Sequence, residues 1–124
     1  EYILVQIDVR LIVQVLINII DNAIKYTPVG SDIRIEWKKQ GDFVLVSIAD
    51  NGPGISAEAK PHIFEMFYSA SAKIADSRRS MGLGLALCKS IVNAHGGEIS
   101  VADQIPHGTI FTFSIPSGEV ELHE

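Results

Sequence analysis

The stretch RLIVQVLINIIDNAIK, Arg10 to Lys25, constrains the fold more than any other part of the chain. Residues three and four apart are neighbours on a helix, so Arg10, Gln14, Asn18, Asp21, Asn22 and Lys25 fall on one side. Leu11, Ile12, Val13, Val15, Leu16, Ile17, Ile19, Ile20, Ala23 and Ile24 fill the rest of the circumference. A helix this apolar is expected to be mostly buried, with the other elements packed around it and one narrow polar seam left over. Asn is a poorer helix former than Lys, Glu or Arg, so two of them four apart call for a reason other than helicity. The helix alone leaves three readings open: an amide pair satisfying neighbouring backbone, drift on a solvated face, or a ligand site.

The flanking sequence supplies boundaries. Tyr2 to Ile7 is apolar and β-branched, which suits a strand, and Asp8 is placed to cap a helix running to about Tyr26. Pro28 and Gly30 stop it. Ile33, Ile35 and Trp37 alternate with Arg34, Glu36 and Lys38, Gly41-Asp42 turns the chain, and Phe43 to Ile48 returns as the second arm of a hairpin. Ser56 heads a short helical turn through Lys60, and Pro61 starts another carrying Ile63, Phe64 and Phe67. Tyr68 to Ser80 has no periodicity and reads as a mobile loop. Leu83 to His95 regains helical spacing, Gly96-Gly97 ends it, and strands near Glu98 to Ala102 and Thr109 to Ile115 follow. The expected fold is α+β: a two-layer sandwich with a mixed sheet of about five strands and three helices on one face.

With 124 residues, the chain is expected to form one domain. Its net charge of −5 argues against general binding to nucleic acid or anionic membranes. A single cysteine, Cys88, excludes an internal disulfide and fits a reducing compartment. Without a membrane-spanning apolar run or a secretory signal, the chain reads as soluble and cytosolic. Its abrupt opening, EYILVQID, reads as a fragment of a longer protein.

Two glycine-containing motifs carry chemistry. DNGPGIS, Asp50 to Ser56, follows an apolar strand. Its Gly-Pro-Gly turn lets backbone come close to a ligand, with the Asp50 carboxylate as an acceptor beside it; an ordinary strand-to-helix turn would look the same. SMGLGLAL, Ser80 to Leu87, puts Gly82 and Gly84 at the start of a helix, where free N–H groups and the helix dipole favour an anion.

Taken in order, the Asn-bearing helix, Asp-x-Gly-x-Gly, Phe-x-x-Phe, loose loop, Gly-x-Gly and Gly-Thr-x-Phe resemble the catalytic ATP-binding domain of sensor histidine kinases. That domain belongs to the GHKL superfamily with gyrase, Hsp90 and MutL, and has the Bergerat fold. The resemblance covers Asp8 to Pro116, and ADSRRSMGLGLALCKSIVNAHGG further resembles the potassium-responsive KdpD type. It implies that Asn22 coordinates Mg²⁺ through its side-chain oxygen with help from Asn18, that Lys25 reaches a phosphate, and that Tyr26 lies against adenine. It assigns Asp50 to the adenine amino group, which selects adenine over guanine because guanine carries a carbonyl there. Gly52, Gly54 and Ile55 shape that pocket. Gly82, Leu83, Gly84 and Leu85 present backbone N–H groups to the phosphates, Tyr68 to Ser80 becomes an ATP lid, and Thr109 buttresses the adenine end through its hydroxyl. Phe64 and Phe67 match the F-box, as core packing and lid anchoring or as direct contacts.

The resemblance also carries departures. Tyr68-Ser69 stands where many members have a basic residue, leaving Lys73, Arg78 and Arg79 as lid charge, and Ser80 stands where many have glycine. His62, His95, His107 and His123 lack the Glu or Asp, Leu and Arg that follow the family's phosphoacceptor, so they read as structural or exposed. The implied activity is transfer of the ATP γ-phosphate to a histidine on the kinase's own dimerisation domain. A response regulator acts downstream, and the full-length protein is a homodimer at a membrane with this domain on the cytoplasmic side. Two alternatives remain: a hydrolytic ATPase of the gyrase and MutL kind, and a non-catalytic nucleotide-binding module. The hydrolytic enzymes carry a water-activating glutamate four residues before the metal-binding Asn; here that position is Asn18, which cannot act as a base.

Overall fold

The computed structural model describes residues 8–27, 29–65 and 84–117, with the side chain of Tyr26 excepted. The expected strand Tyr2 to Ile7, the lid Tyr68 to Ser80 with Lys73, Arg78 and Arg79, and Phe67, Gly82, Leu83 and His123 lie outside the described residues.

Helix α1 runs Val9–Tyr26. Asp8 caps it with extended backbone, its carboxylate accepting from the Arg10 and Leu11 N–H groups at 3.1 and 3.4 Å. At the other end the Thr27 hydroxyl donates to the Ala23 carbonyl at 2.8 Å, satisfying one of the acceptors a helix leaves open. Strands β1 (Ile33–Gln40) and β2 (Phe43–Asp50) form the expected hairpin, with Gln40 opposite Phe43 and Gly41 at the positive φ a tight connection needs. Ser56 caps the following turn by accepting from the Ala59 N–H, and Pro61 sits in a 3₁₀ turn, Lys60–His62. Helix α2 covers Gly84–Ala94. It stops in a Schellman motif, with the Gly97 N–H on the Val92 carbonyl, the Gly96 N–H on the Asn93 carbonyl, and Gly96 at φ +86°. Strands β3 (Ile99–Asp103) and β4 (Thr109–Pro116) follow.

The described strands form one sheet in the order β1-β2-β4-β3, and every neighbouring pair is antiparallel. The expected mixed sheet of about five strands therefore appears among the described residues as four antiparallel strands. Two α-helices and the 3₁₀ turn stand where three helices are expected. Register puts Val44, Ile48 and Asp50 of β2 beside Ile115, Phe111 and Thr109 of β4, all on the helix-facing side. Ile12, Val15, Ile19 and Ala23 of α1 and Cys88, Ile91 and Val92 of α2 close over them.

Helix α1 is less buried than its composition suggests. Its core contact is a single stripe, whereas Val9, Ile17 and Ile24 are 64%, 52% and 59% exposed. The reason is tertiary: α1 lies against β2 and α2, and β1 beyond them leaves Ile35 and Trp37 uncovered.

Cys88 makes a prediction possible. Its thiol donates to the Val15 carbonyl at 3.7 Å, joining the two helices, and burial pushes its pKa up to about 11 against a slight lowering by the Asn18 side chain. A group held protonated in the fold stabilises it below the unfolded pKa, and that contribution fades as pH rises through the folded value. Stability measured by denaturant unfolding should therefore decline between about pH 9 and 11, and Cys88→Ser should remove that decline. Iodoacetamide should leave native Cys88 unmodified at pH 8, because the thiolate is the reactive form.

Candidate nucleotide site

The site is built where α1 passes the end of β2. Asp50, the last residue of β2, is buried at 6% exposure, and its Oδ1 accepts from the Gly52 N–H at 2.9 Å. No other described residue donates to it. No buried side-chain oxygen among the described residues lacks a partner, so the acceptor capacity Asp50 has left reaches solvent, where a donor on a ligand could meet it. Thr109 sits directly opposite on β4, also buried, with its side chain on the same face.

The turn after Asp50 is held close on three sides. A Cβ on Gly52 would run into the Thr27 methyl at the end of α1. Gly108 has φ +122°, and a Cβ there would overlap the Asp50 carbonyl; a Cβ on Gly54, itself at φ +87°, would come within 3.3 Å of the Gly108 carbonyl. The glycines thus serve close backbone packing, beyond turn flexibility alone. The Asn51 side chain secures the start of β1 by accepting from the Asp32 N–H at 2.9 Å.

On α1 the two asparagines differ. Asn18 is engaged at both ends: Oδ1 accepts from Gln14 Nε2 at 3.0 Å, and Nδ2 donates to the Gly84 carbonyl at 3.4 Å. It thereby ties α1 to the first residue of α2. Asn22, half-buried one turn later, makes no side-chain hydrogen bond to a described residue. Lys25 is half-buried in the last turn, where a positive charge complements the helix dipole. Ile55, Leu85 and Phe64 pack against the core, Phe64 edge-on to Phe111 with centroids 6.1 Å apart. Of the two roles open for the F-box, Phe64 fills the packing one.

Two histidines of undefined role gain one. The Asp8 N–H donates to His95 Nε2 at 3.0 Å, so the ring proton is on Nδ1, which donates to the Ile91 carbonyl at 2.8 Å. His107 Nδ1–H donates to the Gly52 carbonyl at 3.0 Å. The first bridges 87 residues and the second 55; the only local signal for His107 is its place between Pro106 and the Gly108-Thr109 pair.

Comparison with known proteins decides the family. The profile described as histidine kinase-, DNA gyrase B-, and HSP90-like ATPase matches residues 7–119. The chain belongs to this family. Within it, the chain is a histidine kinase catalytic domain. It is 48% identical over 116 residues to sensor protein KdpD of Clostridium acetobutylicum, a match covering 94% of the chain and 13% of that relative. The mycobacterial sensor histidine kinase MprB has the same fold at TM-score 0.79 and 33% identity, over 91% of this chain and 76% of that one. The catalytic domain of histidine kinase ThkA gives 0.79 and 36%, over 91% and 70%, and ThkA has also been solved with the response regulator TrrA. The expected two-layer α+β architecture is that of these kinase domains, and ATP is the nucleotide of the family. Among the described residues no helix is long and apolar enough to cross a membrane, and no cluster of three or more His, Cys, Asp or Glu is placed to hold a metal.

Proposed function

We propose that this histidine kinase domain binds Mg-ATP and presents the γ-phosphate to a histidine on the kinase's own dimerisation domain. The observation that carries the reading is Asp50: a buried carboxylate anchored through one oxygen, with acceptor capacity left for the adenine amino group. Thr109, opposite Asp50 on β4, buttresses the adenine end through its hydroxyl, and Gly52 and Gly54 let the turn approach the base.

Asn22 fits Mg²⁺. Its amide oxygen is hard and neutral, suited to a cation whose other ligands are phosphate oxygens and water. Bound there, the ion would neutralise charge on the phosphates. Asn18 holds α1 against the start of α2 and assists Asn22 from one turn earlier. Lys25 meets a phosphate, and Tyr26 lies along the adenine ring. Gly82, Leu83, Gly84 and Leu85 offer N–H groups to the phosphates, with Arg78 and Arg79 supplying lid charge and Phe67 anchoring the lid. The acceptor imidazole is the nucleophile, so the domain contributes position and charge neutralisation rather than a base. Asn18 lacks the basicity to activate water, which disfavours hydrolysis as the main outcome.

The chain spans 13% of the KdpD relative, and the roles of the whole protein follow from the family reading. The domain works in a two-component pair as part of a homodimeric kinase at a membrane, facing the cytoplasm. Its phosphoryl group passes on to a response regulator of the kind ThkA binds. Calorimetric titration with Mg-ATP tests the site: Asp50→Ala should weaken binding by about 1–3 kcal/mol, roughly 5- to 150-fold, and Asp50→Asn by less, since its carbonyl still accepts. Unchanged affinity in Asp50→Ala would remove adenine from this site.

A further inference from the structure

We infer that His107 is a positioning residue for nucleotide selectivity, acting through the backbone of Gly52 on Asp50. The inference rests on the reading of Asp50 as the adenine acceptor. Gly52 is held through both of the peptide units that meet at its Cα: its N–H donates to Asp50 Oδ1 at 2.9 Å, and its carbonyl accepts from His107 Nδ1–H at 3.0 Å. The Thr27 methyl leaves no room for the glycine to shift toward α1. His107 is itself set in place by the turn between β3 and β4, which the Gln104 N–H closes onto the Gly108 carbonyl at 3.0 Å. The next residue, Gly108, packs on the Asp50 carbonyl. The β3–β4 turn thus packs directly on the backbone of Asp50 and Asn51.

The physical consequence concerns orientation. A carboxylate fixed by one N–H rejects guanine only while that N–H is fixed, because a carboxylate free to rotate can turn away from the guanine carbonyl. Removing the imidazole leaves the Gly52 carbonyl to water and lets the Asp50–Gly52 turn loosen. Protonation does not release the grip, since Nδ1 carries a proton in the imidazolium and in the neutral form that donates here.

The test measures dissociation constants for Mg-ATP and Mg-GTP on the 124-residue chain and its variants. His107→Ala should weaken ATP about three- to tenfold, the effect of one lost hydrogen bond, while GTP changes less than twofold, so the ATP-over-GTP ratio falls. His107→Asn, whose amide nitrogen can reach where Nδ1 stands, should restore both values to within about twofold. His107→Phe, which keeps the ring and lacks the donor, should behave like alanine. Equal loss of both nucleotides, or failure of asparagine to rescue, would overturn the positioning role, as would parent-like behaviour of His107→Ala beside an Asp50→Ala that has lost ATP. Parent-like ATP affinity in Asp50→Ala would instead overturn the adenine reading beneath it.

Discussion

Asn22→Ala should lose phosphotransfer by at least about 100-fold while its melting temperature stays level or rises. The two halves of that result come from different physics. Alanine is the better helix former, by up to about 0.7 kcal/mol, and the Asn22 amide has no hydrogen bond among the described residues to lose. The core stripe of α1, Ile12, Val15, Ile19 and Ala23, is untouched. What disappears is the amide oxygen proposed as a metal ligand, and a misplaced phosphate costs about two orders of magnitude in rate. Thermal unfolding beside transfer to a purified dimerisation domain separates these effects; a variant that melts several degrees lower would show that the amide is structural.

The second large effect is on stability. Gly108→Ala should cost about 2–5 kcal/mol, combining a backbone region that side chains rarely adopt with a Cβ pressed onto the Asp50 carbonyl. Because that carbonyl belongs to the residue proposed to read adenine, the folded fraction should also bind ATP less well. Gly41→Ala, at φ +62° with open space around its Cβ position, pays the backbone cost alone and serves as the control in urea unfolding, with native ATP affinity.

Local signals account for much of what the sequence foretold. Asp8 as a cap, the Gly41-Asp42 turn and Gly96-Gly97 as a stop each depend on residues within a few positions of one another. Asp50 at a strand end followed by Gly-Pro-Gly was legible for the same reason. Burial was less so. The alternation of Ile35 and Trp37 with charged residues marks a strand, but whether that face is covered depends on where α1 lies, and it lies over β2. The apolar circumference of α1 likewise overstated its burial. The contacts of His95 with Asp8 and of His107 with Gly52 join residues distant in sequence, and no periodicity reports such pairings. Asn18 and Asn22 looked alike on one helical seam; the Gln14 amide and the Gly84 carbonyl at the start of α2 distinguish them, by occupying Asn18.

The activity proposed for this domain is transfer of the γ-phosphate of ATP to a histidine. The direct measurement incubates the chain with γ-³²P-ATP, Mg²⁺ and a separately purified dimerisation domain, then tests the labelled partner for acid and alkali stability. Label should appear on the partner, be lost in acid, survive alkali, and be absent when the partner's acceptor histidine is replaced or when Asn22→Ala is used. Release of free phosphate with an unlabelled partner would contradict it and return the domain to the hydrolytic branch of its family.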